Sequence, residues 1–323
     1  MSTLKEVAAA AGVHVATASA VLNAAGGNTR VGESTRERVL AAAKQLSYVA
    51  NESARRLRQG RSNAVGFLGG DLRNPFFAEL AASVEGELGK YGLQLLVSHV
   101  GHTESASLEK TIQVLQRQGV QNIICWEEGS RSRKNVESAK ALTLSIGFTR
   151  QDRPGVWLDL ESALQIAVED MTRRGFRRLG FFAPQSQGES PSVLARSQVF
   201  AEECARRNLA GPVLASYRGE SWDLDAAFQG AESVLKTHKE VEAWLGFNDV
   251  AALGLLSRFS KKDSARVLCF DGTTVARCWP GRPPRLDLRI GEMARIVADV
   301  VAGKELAKDV GKRARWLRPA LIH

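Results

Sequence analysis

The side chains able to carry covalent or metal chemistry are few and widely spaced in this sequence. Its four cysteines, Cys125, Cys204, Cys269 and Cys278, show no CxxC spacing. That pattern fits reduced, unligated thiols in a cytosolic protein better than disulfides or a zinc site. The five histidines are His14, His99, His102, His238 and His323, and no Ser-His-acid constellation can be built around them. His99 and His102 follow a strand end, where they face a cleft or sit in a loop, and no metal-ligand set surrounds them. Gly66 to Gly70 lies in VGFLGGD, which matches neither the dinucleotide nor the phosphate-loop spacing. The expectation is a protein that binds rather than reacts: not an enzyme, with no cofactor and no metal.

Charge supplies the first positive indication. The chain carries a net +9, and residues 1–61 hold nine Lys and Arg against four Glu, a net of +5 in a fifth of the length. A dense positive segment on a mildly basic body points to a polyanion partner or to a solvated basic surface.

The elements that position this charge are helical. Thr3-Leu4-Lys5-Glu6 has capping-box spacing, and Leu4, Val7, Ala8 and Ala11 share one face of a short helix that Gly12 ends. A second run, Val15 to Asn23, turns Ala18, Val21 and Leu22 inward and leaves Val15, Ala16, Ser19, Ala20 and Asn23 outside. After a glycine-rich loop, Ser34 to Leu46 makes a third helix with Val39, Ala42, Ala43 and Leu46 inward. Two short helices about a tight glycine turn, braced by a third, describe a helix-turn-helix unit.

From Ala64 the pattern becomes strand, loop, helix, repeated. Strands are expected at Ala64–Leu68, Leu93–Ser98, Ile123–Trp126 and Leu142–Ile146, separated by helices reaching Tyr91 and Gln118. A second series begins with helix Glu161–Arg174 and continues through strands Arg178–Phe182, Val213–Tyr217, Ala243–Gly246 and Arg266–Phe270, ending in helix Gly291–Ala302. Alternation of this kind means parallel sheets with helices on both faces, here as two Rossmann-like lobes. Ligands then bind beyond the strand C-termini, in the cleft between lobes.

LKEVAAAAGVHVATASAVLN, TRERVLAAAKQLSYVAN and ESARRLRQGRSNAVGF, in that order, resemble the LacI/GalR family of bacterial repressors. GFLGGDLRNPFFAEL, RRGFRRLGFFA, ARSQVF, AWLGFNDVAALG, VLCFDG and RPALIH resemble that family's periplasmic-binding-protein-like core. The resemblance implies an all-α helix-turn-helix domain at 1–60, with a hinge helix at about 54–59, and a two-lobe effector-binding and dimerisation core at 61–323. It also implies a regulator, in the repressor mould, that reads operator DNA from the cytoplasm, near the nucleoid. A cytoplasmic sugar-binding protein without direct DNA regulation is the alternative. Residues carried onto DNA contact are Thr3, His14, Val15, Ala16, Thr17, Ser19, Ala20, Asn23 and Arg30, with Ala54, Arg55, Leu57 and Arg58 in the hinge. Leu57 stands where the family wedges a leucine into the minor groove, a device that unstacks base steps and bends the duplex. An ordinary linker leucine is the plainer reading of the same residue.

Departures from the family shift the expectation. His14 replaces the usual serine cap, and Val15, Ala16 and Ala20 hold positions that are often polar or basic. A bidentate Arg or Gln contact to a base edge is worth about 1–3 kcal/mol of discrimination, and this helix has none. Thr17 and Ser19 suit phosphate contacts, which position without specifying. Weak or unusual operator specificity, dependent on the hinge and on DNA shape, is expected.

The family's effector contacts map onto Asp71, Phe76, Arg196, Asn248 and Asp271, with Trp222 as the aromatic, and onto Trp157, Asp159 and Arg285 more weakly. Carboxylate, amide and guanidinium groups suit neighbouring hydroxyls, and an indole covers the C–H side of a sugar. Each has a plainer reading too: Asn248-Asp249 as a helix cap, Trp222 as core. Arg73, Arg196 and Arg285 incline the expected effector towards a sugar acid or phosphorylated sugar. No stretch approaches eighteen apolar residues, so no membrane span is expected, and MSTLKEVAAAAGV lacks the long apolar region of a signal peptide. No leucine heptad precedes His323, so a homodimer is expected rather than a tail-mediated tetramer.

Overall fold

A computed structural model describes residues 2–22, 31–48, 62–99, 105–128, 142–149, 154–185, 190–304 and 314–323. The chain divides into two compact units, Met1–Arg61 and Ser62–His323.

In the first unit α1 spans Leu4–Ala10, α2 Val15–Leu22 and α3 Glu33–Gln45. The capping box at Thr3 is present. Thr3 Oγ1 accepts from the Glu6 N–H at 3.3 Å, and the Thr3 N–H donates to Glu6 Oε2 at 2.7 Å. Gly12, at φ +63°, supplies the left-handed turn between α1 and α2, a conformation that costs an L side chain energy. The core consists of Val7, Ala8, Ala11, Ala18, Val21, Val39, Ala42 and Ala43. Five of these eight are alanines, so the three helices approach closely instead of interdigitating long side chains.

The second unit opens with β1 (Ala64–Gly69), α4 (Pro75–Gly89), β2 (Gln94–His99), α5 (Ser105–Arg117), β3 (Asn122–Glu128), β4 (Leu142–Thr149) and β5 (Gly155–Asp159). It continues with α6 (Leu160–Arg173), β6 (Leu179–Gln185), α7 (Pro191–Arg206), β7 (Val213–Arg218), α8 (Leu224–Thr237), β8 (Ala243–Gly246) and α9 (Asp249–Leu256). Then come β9 (Val267–Leu268), α10 (Thr274–Arg277), β10 (Arg285–Asp287), α11 (Ile290–Val301), β11 (Ala314–Leu317) and β12 (Ala320–Ile322). One six-stranded sheet has the order β11-β5-β4-β3-β1-β2 and a second, of four strands, β7-β6-β8-β9. Every pairing within the two sheets is parallel. Such sheets need helices on both faces, and β1, buried at all six positions, reads accordingly as AVGFLG without polar alternation.

The two lobes are not consecutive in sequence, as the run of βα units suggested. The chain passes from the first lobe to the second after β5, where Asp159 caps α6 through the Ser162 N–H at 3.0 Å. It returns after β10 so that α11 rests on α4, and β11 then pairs with β5. A third crossing brings β12 antiparallel to β10. Strands β5, β10, β11 and β12, three to five residues each, escaped the sequence pattern because so few positions carry no periodicity. The expected strand Arg266–Phe270 contracts to Val267–Leu268.

Candidate functional site

Among the residues expected to touch DNA, His14 and Ala16 are exposed, as is Thr3, while Val15, Thr17 and Ala20 are partly covered. His14 takes over the work of the missing serine. Its Nδ1 accepts from the Ala16 N–H at 3.3 Å, and its carbonyl accepts from the Thr17 and Ala18 N–H groups at 2.9 and 3.1 Å. An imidazole that accepts at Nδ1 carries its proton on Nε2, leaving one outward N–H donor at the start of α2. The outward placement of Ser19 is corrected: it is buried beside Ala18, because α2 turns nearly half its circumference into the alanine-rich core. Asn23, Arg30, Ala54, Arg55, Leu57 and Arg58 lie outside the described residues.

The second site is a cleft between the lobes, about 540 Å³ including its open mouth. Asn74, Phe76, Phe77 and Trp126 line it from the first lobe. Pro184, Ser190, Ser192, Val193, Arg196, Glu220, Ser221, Phe247, Asn248 and Asp271 line it from the second. These groups sit at strand C-termini and helix N-termini, where a parallel sheet leaves its polar backbone ends.

Arg196 is the buried cation of the cleft, only 4% exposed. Its guanidinium lies 4.6, 4.3 and 4.6 Å from the ring centroids of Phe148, Phe247 and Phe270. It also donates to the Phe247 carbonyl at 2.8 Å. Phe148 belongs to the first lobe, so this aromatic box is itself a contact between lobes. Edge-on rings extend it: Phe76 and Phe77 lie 5.1 and 5.3 Å from Trp126, which lies 5.8 Å from Phe148.

Asn248 caps α9. Its Oδ1 accepts from the Ala251 N–H at 2.9 Å and its Nδ2 donates to the Ser221 carbonyl at 2.6 Å. Asp249 and Asp271 hold each other's backbones: Asp271 Oδ2 accepts from the Asp249 N–H at 3.2 Å, and Asp249 Oδ1 from the Asp271 N–H at 2.9 Å. Asp249 Oδ2 takes two further bonds from Thr273, through N–H and hydroxyl, each at 2.7 Å. Burial pushes the Asp249 carboxyl above its ordinary value against these donors. Gly272, at φ +64°, completes the loop; a Cβ there would stand 1.8 Å from the Leu286 carbonyl oxygen. A second contact between lobes reaches this loop, the Thr274 N–H donating to Glu79 Oε1 at 2.6 Å.

Asp71 and Trp222 stand at the rim. Arg73 Nε donates to Asp71 Oδ1 at 2.9 Å, its NH2 group pairs with Oδ2, and the guanidinium stacks on the Trp222 ring with 3.3 Å to the centroid. The hydrogen bonds from Arg73 hold the Asp71 carboxyl below its ordinary value, opposed by some burial. His99, at the end of β2, lies 4.0 Å from Asp71. Three expected residues do not line the cleft, Asp159, Trp157 and Arg285, and Asp159 is instead the cap of α6. Trp157 is fully buried within β5, flanked by Gly147 of β4 and Trp316 of β11. Arg285 is partly buried on β10 with its Nε lacking a hydrogen-bond partner among the described residues. The cationic lining expected of Arg73, Arg196 and Arg285 therefore resolves into one arginine paired at the rim, one boxed by rings and one elsewhere.

Sequence reasoning passed over Phe148, Phe247, Phe270, Trp126 and the serines Ser190 and Ser192. Phe247 and Phe270 share a signal, each lying just past the end of a parallel strand, whereas Phe148 sits within β4, paired with Glu128 and Leu158. Burial raises the Cys204 thiol to about 12 and that of Cys269 well above its ordinary value, so neither is a nucleophile. Among the described residues no group of His, Cys, Asp and Glu gathers as a metal site, and no helix is long and apolar enough to cross a membrane.

Comparison with known proteins places both units. Residues 3–51 match the family of bacterial regulatory proteins, lacI family, and residues 62–267 match the periplasmic binding proteins and sugar binding domain of LacI family. Catabolite control protein A of Priestia megaterium is 30% identical over 286 residues, 85% of this chain and 83% of its own. The maltose regulon regulatory protein MalI of Escherichia coli K12 is 29% identical over 263 residues, 78% of this chain and 73% of its own. A crystal structure of the lac repressor dimer bound to operator and the anti-inducer ONPF superposes with a TM-score of 0.81 over 100% of this chain and 98% of that one, at 22% identity. That likeness is one of fold, and among the described residues it carries past residue 267, where the family match ends. With both units matched in order, the chain belongs to the LacI family of bacterial regulatory proteins.

Proposed function

We propose that this chain is a cytoplasmic, nucleoid-associated transcriptional repressor that acts as a homodimer on operator DNA and releases or holds it according to the occupancy of the cleft. The carrying observation is a two-lobe cleft whose polar side chains (Asn74, Ser190, Ser192, Ser221, Asn248 and Asp271) are interleaved with aromatic faces. Hydroxyl and amide groups beside ring faces suit a polyhydroxylated ligand. Because the rim and buried arginines are already engaged by Asp71 and by three rings, a neutral sugar is the effector favoured over a sugar acid or sugar phosphate.

Operator contact is assigned to Thr3, His14, Val15, Ala16, Thr17 and Ala20, and to Asn23, Arg30, Ala54, Arg55, Leu57 and Arg58 beyond the described residues. The lac repressor structure is of a dimer bound to operator, and by family the same arrangement, a dimer on an operator of its own, is proposed for this chain. Half-sites about one helical turn apart follow from two-fold symmetry.

Fluorescence anisotropy of a labelled genomic duplex pool tests the proposal. Binding should weaken steeply with salt, with a slope of about −0.9 per phosphate neutralised. Absence of binding by the intact protein at low salt would overturn it. A thermal-shift screen of sugars and sugar acids would then identify the effector, since a ligand specific to the native state raises stability by mass action.

A further inference from the structure

The rim of the cleft carries an arrangement that the family assignment does not explain. Arg73 reaches from the first lobe to cover the indole of Trp222 on the second, with 3.3 Å between guanidinium carbon and ring centroid. Asp71 fixes it by two donors from the same fork, Nε at 2.9 Å and NH2. A planar guanidinium bonded along one edge and stacked on one face is held in position as a lysine is not. The chain neighbours of the clasp, Asn74 on one side and Ser221 on the other, line the cavity itself. The clasp therefore closes over the mouth, and the lobes cannot part without unstacking it.

Charge around the clasp is lopsided. Glu220, which lines the cavity, and Asp223, whose Oδ1 caps α8, add their charge to that of Asp71 around the same guanidinium. Deeper in, Arg196 and Asp271 line the cavity. His99, which ends β2, lies 4.0 Å from Asp71.

We propose that Arg73 and Trp222 form a gate over the effector cleft, and that the acidic ring behind it admits neutral or cationic ligands and turns anions away. This rests on the cleft being the effector site. An arriving ligand has to displace Arg73 from the indole before using that face, and displacement uncovers Asp71, Glu220 and Asp223 at the mouth. The gate makes Arg73 a specificity-determining residue although it is exposed and already paired.

Collisional quenching of Trp222 fluorescence tests this in the full-length protein without effector or DNA, so its outcome is independent of whether the regulator reading stands. The Trp222 signal is isolated by subtracting the W222F spectrum. Acrylamide, iodide and caesium serve as neutral, anionic and cationic probes, each normalised to free N-acetyl-tryptophanamide. Arg73→Ala should raise acrylamide quenching of Trp222 at least about twofold by removing the stacked group, and Arg73→Lys should fall between. Normalised caesium quenching should exceed iodide quenching in the wild type, and the ratio should widen about twofold in Arg73→Ala at low salt. Arg73 is exposed, so the variants fold, which a circular dichroism melt verifies. Unchanged acrylamide quenching in Arg73→Ala would overturn the gate. Iodide quenching equal to or above caesium quenching would overturn the charge selection.

Discussion

Arg196 owes its place to three rings and one carbonyl. Replacing it with alanine leaves the Phe247 carbonyl without its donor and a void between Phe148, Phe247 and Phe270. An unsatisfied buried acceptor together with the lost ring contacts costs about 3 kcal/mol, or about 6 °C in a domain of this size. Calorimetry should show that fall for Arg196→Ala, with Arg196→Lys intermediate; a shift below about 2 °C would contradict the assignment. Asp71 is legible through pH. Its folded value is lowered from 3.8, chiefly by the Arg73 hydrogen bond, so it contributes stability that is present above the ordinary value and lost as pH falls through the lowered one. Acid titration of thermal stability in Asp71→Asn should lack that component, so the gap between the two proteins should close as pH falls below the ordinary carboxylate range. A gap that stayed open below about pH 3 would rule out Asp71 as its source.

At the scale of elements, local chemistry that repeats a known pattern was readable and chemistry assembled across the chain was not. The Thr3–Glu6 capping box, the Gly12 turn and the inward faces of α1 to α3 follow from spacing alone, and all are present. Ser19 was misplaced because an eight-residue helix packed between two others buries more than the stripe its pattern suggests. The aromatic box escaped because Phe148, Phe247 and Phe270 belong to or follow three separate strands, and nothing local tells that Arg196 sits among them. Thr3→Ala should lower the stability of the helical unit by about 1 kcal/mol, seen as earlier loss of helical signal with the core transition unmoved. Gly272→Ala strikes harder, since a Cβ at that left-handed position meets the Leu286 carbonyl. Displacing the loop that carries Asp271 should cost about 2–3 kcal/mol. Denaturant titration would read it, and a loss under about 1 kcal/mol would show that the loop yields instead.

Over the whole molecule, the lobes are joined by the clasp at the rim, the aromatic box within and the bond from Thr274 to Glu79. Glu79→Ala removes the last of these, and hydrogen exchange at residues 272–277 should quicken in that variant without change in α1 to α3. Unaltered exchange at Thr274 would mean that the bond does not restrain the loop in solution.

The three passages of the chain between lobes, after β5, after β10 and after β11, have a mechanical meaning of their own. Two bodies joined by a single thread swivel freely about it, whereas three side-by-side threads behave as a strap that bends about one axis and resists twisting. Motion at the cleft is thereby channelled into a single opening and shutting. A protease that severs any one passage leaves two intact, so the nicked halves should still migrate together on a sizing column until denatured.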